Sequence, residues 1–177
     1  MSSLPDSATL ARLVSNVTET MCGTTFVPGE DAARGQSVCG RMVLLPIPGA
    51  RDVSVVLSCD QQGGRALAAG LFGCPGAQVT TEMIDDAIAE LLNMVGGQIT
   101  AAMSIDQALG LPRATSLAEL ANDSGVGFHD SILLTSASVA DLKLWIFERA
   151  AAPPTRATPT RAPFTVRSLI RKLQGAG

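Results

Sequence analysis

Residues 80–104 read TTEMIDDAIAELLNMVGGQITAAMS, and this stretch decides the fold. Ile84, Ile88, Leu91, Val95, Ile99 and Ala102 recur in steps of four, three, four, four and three. That spacing predicts one long amphipathic helix. Thr80 or Thr81 caps it, and Glu82, Asp85 and Asp86 suit the positive end of its dipole. Gly96-Gly97 in the middle costs about 1 kcal/mol per glycine relative to alanine. Either something approaches closely there, or the helix bends.

The elements on either side are shorter. Upstream, residues 8–22 carry Leu10, Leu13, Val14, Val17 and Met21 at helical spacing, and Gly23 is a natural stop. Phe26-Val27 enters a short extended stretch. Residues 37–47 (SVCGRMVLLPI) and 52–59 (DVSVVLSC) read as strands, and Pro48-Gly49 between them predicts an antiparallel hairpin. Asp60–Gly64 reads as a loop and Arg65–Phe72 as a short helix, closed by Gly73-Cys74-Pro75-Gly76. Downstream, Ala108–Pro112 is an exit strand or loop. Residues 131–136 and 139–147 follow as strands. In the second, Leu142, Leu144 and Ile146 alternate with Lys143, Trp145 and Phe147, giving one buried face and one partly apolar face. Strands paired by hairpins, with helices between the pairs, indicate an α+β domain.

On a wheel of the long helix, the apolar stripe falls on one side. Asp86, Glu90, Asn93 and Gly97 gather roughly opposite. Glu90 and Asn93 are three residues apart, so their side chains project together. Asn is a poor residue for a helix interior because it competes with its own backbone. A carboxylate beside a carboxamide, with a glycine one turn on, makes a docking surface. The plain alternative is the solvated face that any amphipathic helix has. Asp85 points about 100° away from Asp86, so the two are not a catalytic acid pair.

The segment Asp86-Ala-Ile-Ala-Glu90-Leu-Leu-Asn93-Met-Val-Gly-Gly-Gln resembles the signature helix of the CheC/CheX/FliY family of chemotaxis phosphatases. That signature is Asp or Ser, three residues, Glu, two residues, Asn, and a proline about twenty residues on. Pro112 stands in the proline's place, at a somewhat shorter spacing. The order of elements is also similar to the CheX-like domain, over roughly residues 8–148. The resemblance implies an antiparallel sheet with the long signature helix and shorter helices packed on it. It further implies a phosphatase acting on the aspartyl phosphate of a CheY-type response regulator. Glu90 would pair with the receiver's active-site lysine, and Asn93 would enter the receiver site and orient the attacking water. Asp86 and Gly97 would contact the partner. Mg²⁺ would belong to the receiver, with no cofactor or metal held by this chain.

Members of the CheC branch carry a second copy of the motif on the first helix. Here Leu13-Val-Ser-Asn16 keeps the amide and lacks the acid. One active helix per chain resembles the CheX branch, which implies a homodimer. Trp145 and Phe147 belong either to such an interface or to the core. A reading of another class stays open: a catalytically silent CheX-like module that sequesters or scaffolds a receiver.

Composition narrows the remaining classes. The chain has 177 residues, enough for one domain with its own core. Only 3% are aromatic, with one Trp and no Tyr, which speaks against a base-stacking nucleic-acid binder. Residues 1–149 carry eight basic and sixteen acidic groups, so the body is acidic and offers no nucleic-acid footprint. From Ala150 on there are five basic residues and no acid. Residues 150–163 form a Pro/Arg-rich linker. Residues 164–177 carry a basic amphipathic segment, too short to be a stable helix alone. That tail either docks on a partner or scaffold, rests weakly on anionic lipid, or stays unstructured. The first residues show no leader pattern, and no apolar run reaches 18 residues. We therefore expect a cytoplasmic chain with reduced thiols, with Cys39 and Cys59 as small core residues. No CxxC pair exists, and the only histidine, His129, reads as a loop residue.

Overall fold

The hairpin expected around Pro48-Gly49 forms, and its second strand lies at the centre of the sheet. The computed structural model describes residues 4–29, 40–49, 52–106, 108–122, 126–136 and 141–149. Helix α1 spans Ser7–Cys22, strand β1 Val27–Pro28, strand β2 Arg41–Ile47 and strand β3 Val53–Cys59. Helix α2 covers Gln61–Phe72, a single 3₁₀ turn Gly76–Gln78, and helix α3 Thr81–Ala102. Strand β4 (Arg113–Thr115), helix α4 (Leu117–Asn122), strand β5 (Val126–Thr135) and strand β6 (Leu142–Arg149) complete the order. The strands make one sheet in the order β1-β5-β6-β3-β2-β4, with every pairing antiparallel.

The period of two along the strands separates two cores. Val43, Leu45, Ile47, Val55, Leu57, Leu142, Leu144 and Ile146 face α1, α2 and α3, and they close on Val14, Leu67, Ile88, Leu92, Val95 and Ile99. The alternate residues Met42, Leu44, Val56, Trp145 and Phe147 face the other way, against Leu117, Leu120 and Ala121 of α4. Sequence alternation left that second face only partly apolar, but it is as closed as the first. Trp145 and Phe147 have no exposed surface, and their rings stack 6.4 Å apart. They are core residues, and so is Lys143, whose ammonium lies 4.7 Å from the Trp145 ring centroid. The Trp145 Nε1–H donates to Ser58 Oγ at 2.8 Å, and the Ser58 hydroxyl lies 3.3 Å from the Lys143 carbonyl.

Several element limits differ from the expectations. α2 begins at Gln61, because the Asp60 carboxylate accepts from the Gly63 N–H and caps it. The pair Gly63-Gly64, read as a loop, is therefore helical. A Cβ at Gly64 would lie 2.6 Å from Ile84 Cγ2, so the glycine lets α2 close on α3. β4 and α4 were not expected. α4 starts with a capping box: Glu119 N–H donates to Ser116 Oγ, while Ser116 N–H donates back to Glu119 Oε2. β5 begins earlier than read, so His129 stands in a strand and not a loop, at the register shift between Phe128 and Asp130. Residues 37–39 of the first expected strand, 139–140 of the last, Cys39, and the linker and tail from 150 onward lie outside the described residues.

Cys59 ends β3 fully buried, and burial pushes its thiol up to about 12. We expect it to resist iodoacetamide at pH 8 in the folded protein and to react only on unfolding. The mass of the alkylated native chain checks this. Alkylation of native Cys59 at the rate of a free thiol would show that this end of β3 opens.

Candidate functional site

The site is built on α3. Thr80 caps the helix, its hydroxyl accepting from Met83 N–H, and this settles the choice left between Thr80 and Thr81. Contacts with its own amide and then with Thr80 hold the Glu82 carboxyl below the usual carboxylate range. The helix runs unbroken to Ala102. Ile84, Ala87, Ile88, Leu91, Leu92, Val95 and Ile99 are buried along the inner side.

The two adjacent glycines do different things. A Cβ at Gly96 would come 2.2 Å from Leu45 Cδ2 and 3.5 Å from Leu109 Cδ1. Gly96 is thus the point where the helix lies down on β2. A Cβ at Gly97 would meet nothing within 4 Å. The close approach expected at the pair is real at Gly96 and comes from the chain itself. At Gly97 the chain itself sets no such demand.

Asp86, Glu90 and Asn93 are all exposed on the outer face, with Gly97 half-buried one turn beyond Asn93. The helical wheel brings the four within one narrow strip. Among the described residues, neither the Glu90 nor the Asn93 side chain has a hydrogen-bonding partner. Asp85 points elsewhere, as expected, and is ion-paired with Arg41 at the start of β2. Asn16 is exposed on α1, with half-buried Leu13 at the position where the motif has its acid. Pro112 lies half-buried just before β4, in a loop rather than a strand. Beside the helix, an open hollow of about 460 Å³ is lined by Gly40, Arg41, Met42, Gln61, Asp85, Ala114 and Thr115. None of the four strip residues lines it. Their chemistry is carried on a convex ridge, which suits a macromolecular partner better than an enclosed small molecule. Among the described residues, no three His, Cys, Asp or Glu side chains are grouped to hold a metal ion. No described helix is long and apolar enough to cross a membrane.

The sequence reading missed the Arg41–Asp85 pair, which joins residues 44 apart in the chain. It also missed Leu111, the most exposed large apolar residue described, at 85%. No periodic signal marks a leucine in a loop.

A sheet backed by helices, with an exposed carboxylate and carboxamide on the outer face of the longest one, defines an α+β domain that presents this helix outward. Residues 42–129 match the family model for the chemotaxis phosphatase CheX. That span includes the hairpin, α2, all of α3, β4 and α4. Solved structures agree in fold. CheX from Vibrio vulnificus superposes with a TM-score of 0.60 at 18% identity, over 79% of this chain and 93% of its own. A chain of the CheX–CheY–BeF₃–Mg²⁺ complex from Borrelia burgdorferi gives 0.58 at 14%, over 82% and 99%. FliY from Thermotoga maritima gives 0.51 at 14%, over 80% and 84%. No curated protein sequence matches the chain. Over residues 42–129 the chain belongs to the CheX family, and its fold is that of CheX- and CheC-like proteins, as the signature helix implied.

Proposed function

We propose that this protein dephosphorylates the aspartyl phosphate of a CheY-type response regulator, with Glu90 and Asn93 as the working pair. The observation that carries the reading is their state on α3. Within the segment matching the family model, they project together, exposed and with side chains unengaged by any described residue. The Borrelia complex pairs a CheX with CheY carrying BeF₃ and Mg²⁺, which supports a receiver as partner.

The chemistry asks little of the protein beyond placement. Hydrolysis of an acyl phosphate needs a water held in line with the phosphorus and the charge on the phosphoryl oxygens met. The receiver's own Mg²⁺ supplies most of that charge stabilisation. A carboxamide holds a water through one acceptor and one donor, and does so without titrating. On this reading Asn93 enters the receiver site and orients the water. Glu90, one turn earlier, pairs with the receiver's lysine and fixes the helix's position. Asp86 extends the contact toward the start of α3. Gly97 leaves room for the partner's backbone to come close.

The deciding experiment follows the decay of phosphorylated candidate regulators with the wild-type protein, Asn93→Ala and Glu90→Ala. Acceleration by the wild type, lost in Asn93→Ala while binding persists, is the expected result. Glu90→Ala is expected to weaken binding about tenfold, the loss of one ion pair at a contact surface. Binding without acceleration by the wild type on every regulator would replace the phosphatase with a receiver-sequestering module.

A further inference from the structure

Leu111 is 85% exposed, an unusual position for a leucine that is not at a loose end of the chain. Its neighbours are tied down on both sides. Leu109 packs on the main core and reaches the Gly96 position of α3. Gly110 N–H donates to the Pro46 carbonyl at 2.9 Å, and a Cβ there would meet the Pro46 ring at 3.0 Å. Pro112 then fixes its own φ, and β4 begins at Arg113, paired with Leu44. The leucine is therefore held out from a pinned segment, so little conformational freedom is lost when it is covered.

Its place relative to the signature strip is set by the same contacts. On the helical wheel, Gly96 lies about 60° to one side of Asn93, and Met94 about 100° to the other. Leu109 reaches Gly96, so the 109–111 segment flanks the strip on the first side. Met94, 37% exposed, flanks it on the second. The other described large apolar residues with comparable exposure lie elsewhere. Val27 is in β1, at the sheet edge opposite β4, and Phe72 ends α2. The strip with Glu90 and Asn93 thus runs between exposed Met94 and the segment that bears exposed Leu111, an arrangement that suits an interface in which apolar anchors surround the specific polar contacts.

We infer that Leu111, with Met94 on the opposite flank, is an affinity-determining contact for the phosphorylated receiver. This rests on the receiver reading above and deepens it, because it separates holding the partner from treating its phosphoryl group. Leu111 touches the receiver's surface beside its active site and takes no part in positioning the water.

The test is steady-state dephosphorylation by the wild type, Leu111→Ser and Leu111→Met, with binding of the beryllofluoride-activated regulator measured alongside. Leu111→Ser is expected to raise KM and the dissociation constant about tenfold, the loss of one leucine's burial. Its kcat and melting temperature stay unchanged. Leu111→Met is expected to restore most of the affinity. If the wild type is active and Leu111→Ser keeps the wild-type KM and dissociation constant, the inference is overturned and the phosphatase reading stands. If Leu111→Ser lowers kcat at unchanged KM, the leucine acts on the chemical step and the inference is again wrong. A wild type that neither binds nor dephosphorylates any receiver overturns both readings together.

Discussion

Asn93→Ala is expected to slow dephosphorylation of the partner regulator by about a hundredfold or more, while the protein becomes slightly more stable. The first half follows from what the amide is asked to do. Removing one preorganised hydrogen-bonding group from a water-positioning or charge-stabilising site costs roughly 10²–10³ in rate. The other side-chain amide on α3, Gln98, lies five residues on and projects about 140° away round the helix, so it cannot take over. The second half follows from the helix. Asn93 is exposed, unengaged, and in the interior of a 22-residue helix. Alanine there improves helix propensity by about 0.5 kcal/mol, worth a degree or two in melting temperature for a domain of this size. The two changes are opposite in sign, so loss of activity cannot be put down to unfolding. Phosphoregulator decay and a thermal melt on the same preparation check both. A variant with full activity would remove Asn93 from the mechanism. A large drop in melting temperature would mean that the side chain serves the fold.

How far the sequence carried this picture depends on the range of each interaction. α3 was legible almost to the residue, because its stripe, its cap and its first-turn acids all act within the helix. The β2–β3 hairpin was legible because Pro48-Gly49 is local turn chemistry. The reading failed where one signal has two meanings. Gly63-Gly64 looks like a loop, and only the approach of Ile84, twenty residues on, shows that α2 needs a residue without a side chain there. The box Ser116-Leu-Ala-Glu119 was a helix start in plain view, but a six-residue helix has too little periodicity to draw attention. The fate of Lys143 and Trp145 was not readable at all. Their burial depends on α4 crossing the second face of the sheet, a tertiary event that strand alternation does not encode. The site residues were picked out by spacing, yet spacing equally described a solvated helix face. We take the docking side because the family signature falls on the same residues, and because they are exposed without partners among the described residues.

Gly96 and Gly97 stand next to each other and are expected to respond to substitution with opposite signs. Gly96→Val places a Cβ where Leu45 Cδ2 stands at 2.2 Å, in a core where Leu45 has no exposed surface. Leu45 would have to leave its rotamer, or α3 would have to rise off β2. Overpacking of this kind costs about 1–3 kcal/mol, occasionally more, and two further methyl groups place valine at the upper end. The relief of a mid-helix glycine returns less than 1 kcal/mol. We expect a net loss of about 2–3 kcal/mol in urea unfolding, with Leu45→Ala in the same chain recovering part of it by opening the space. Gly97→Ala meets nothing among the described residues, so it should gain about 0.5–1 kcal/mol from propensity and from a stiffer unfolded chain. If a receiver's backbone closes on α3 at that turn, the same methyl group must weaken binding of the activated regulator. Stability then rises as affinity falls, a combination that damage to the fold does not produce. A Gly97→Ala chain that is more stable and binds the regulator as tightly as wild type would place the partner's closest approach elsewhere on the helix, nearer Glu90 and Asp86. A Gly96→Val chain as stable as wild type would mean that Leu45 has room to turn aside, and that α3 is held to the sheet by Val95 and Ile99 rather than by contact at the glycine.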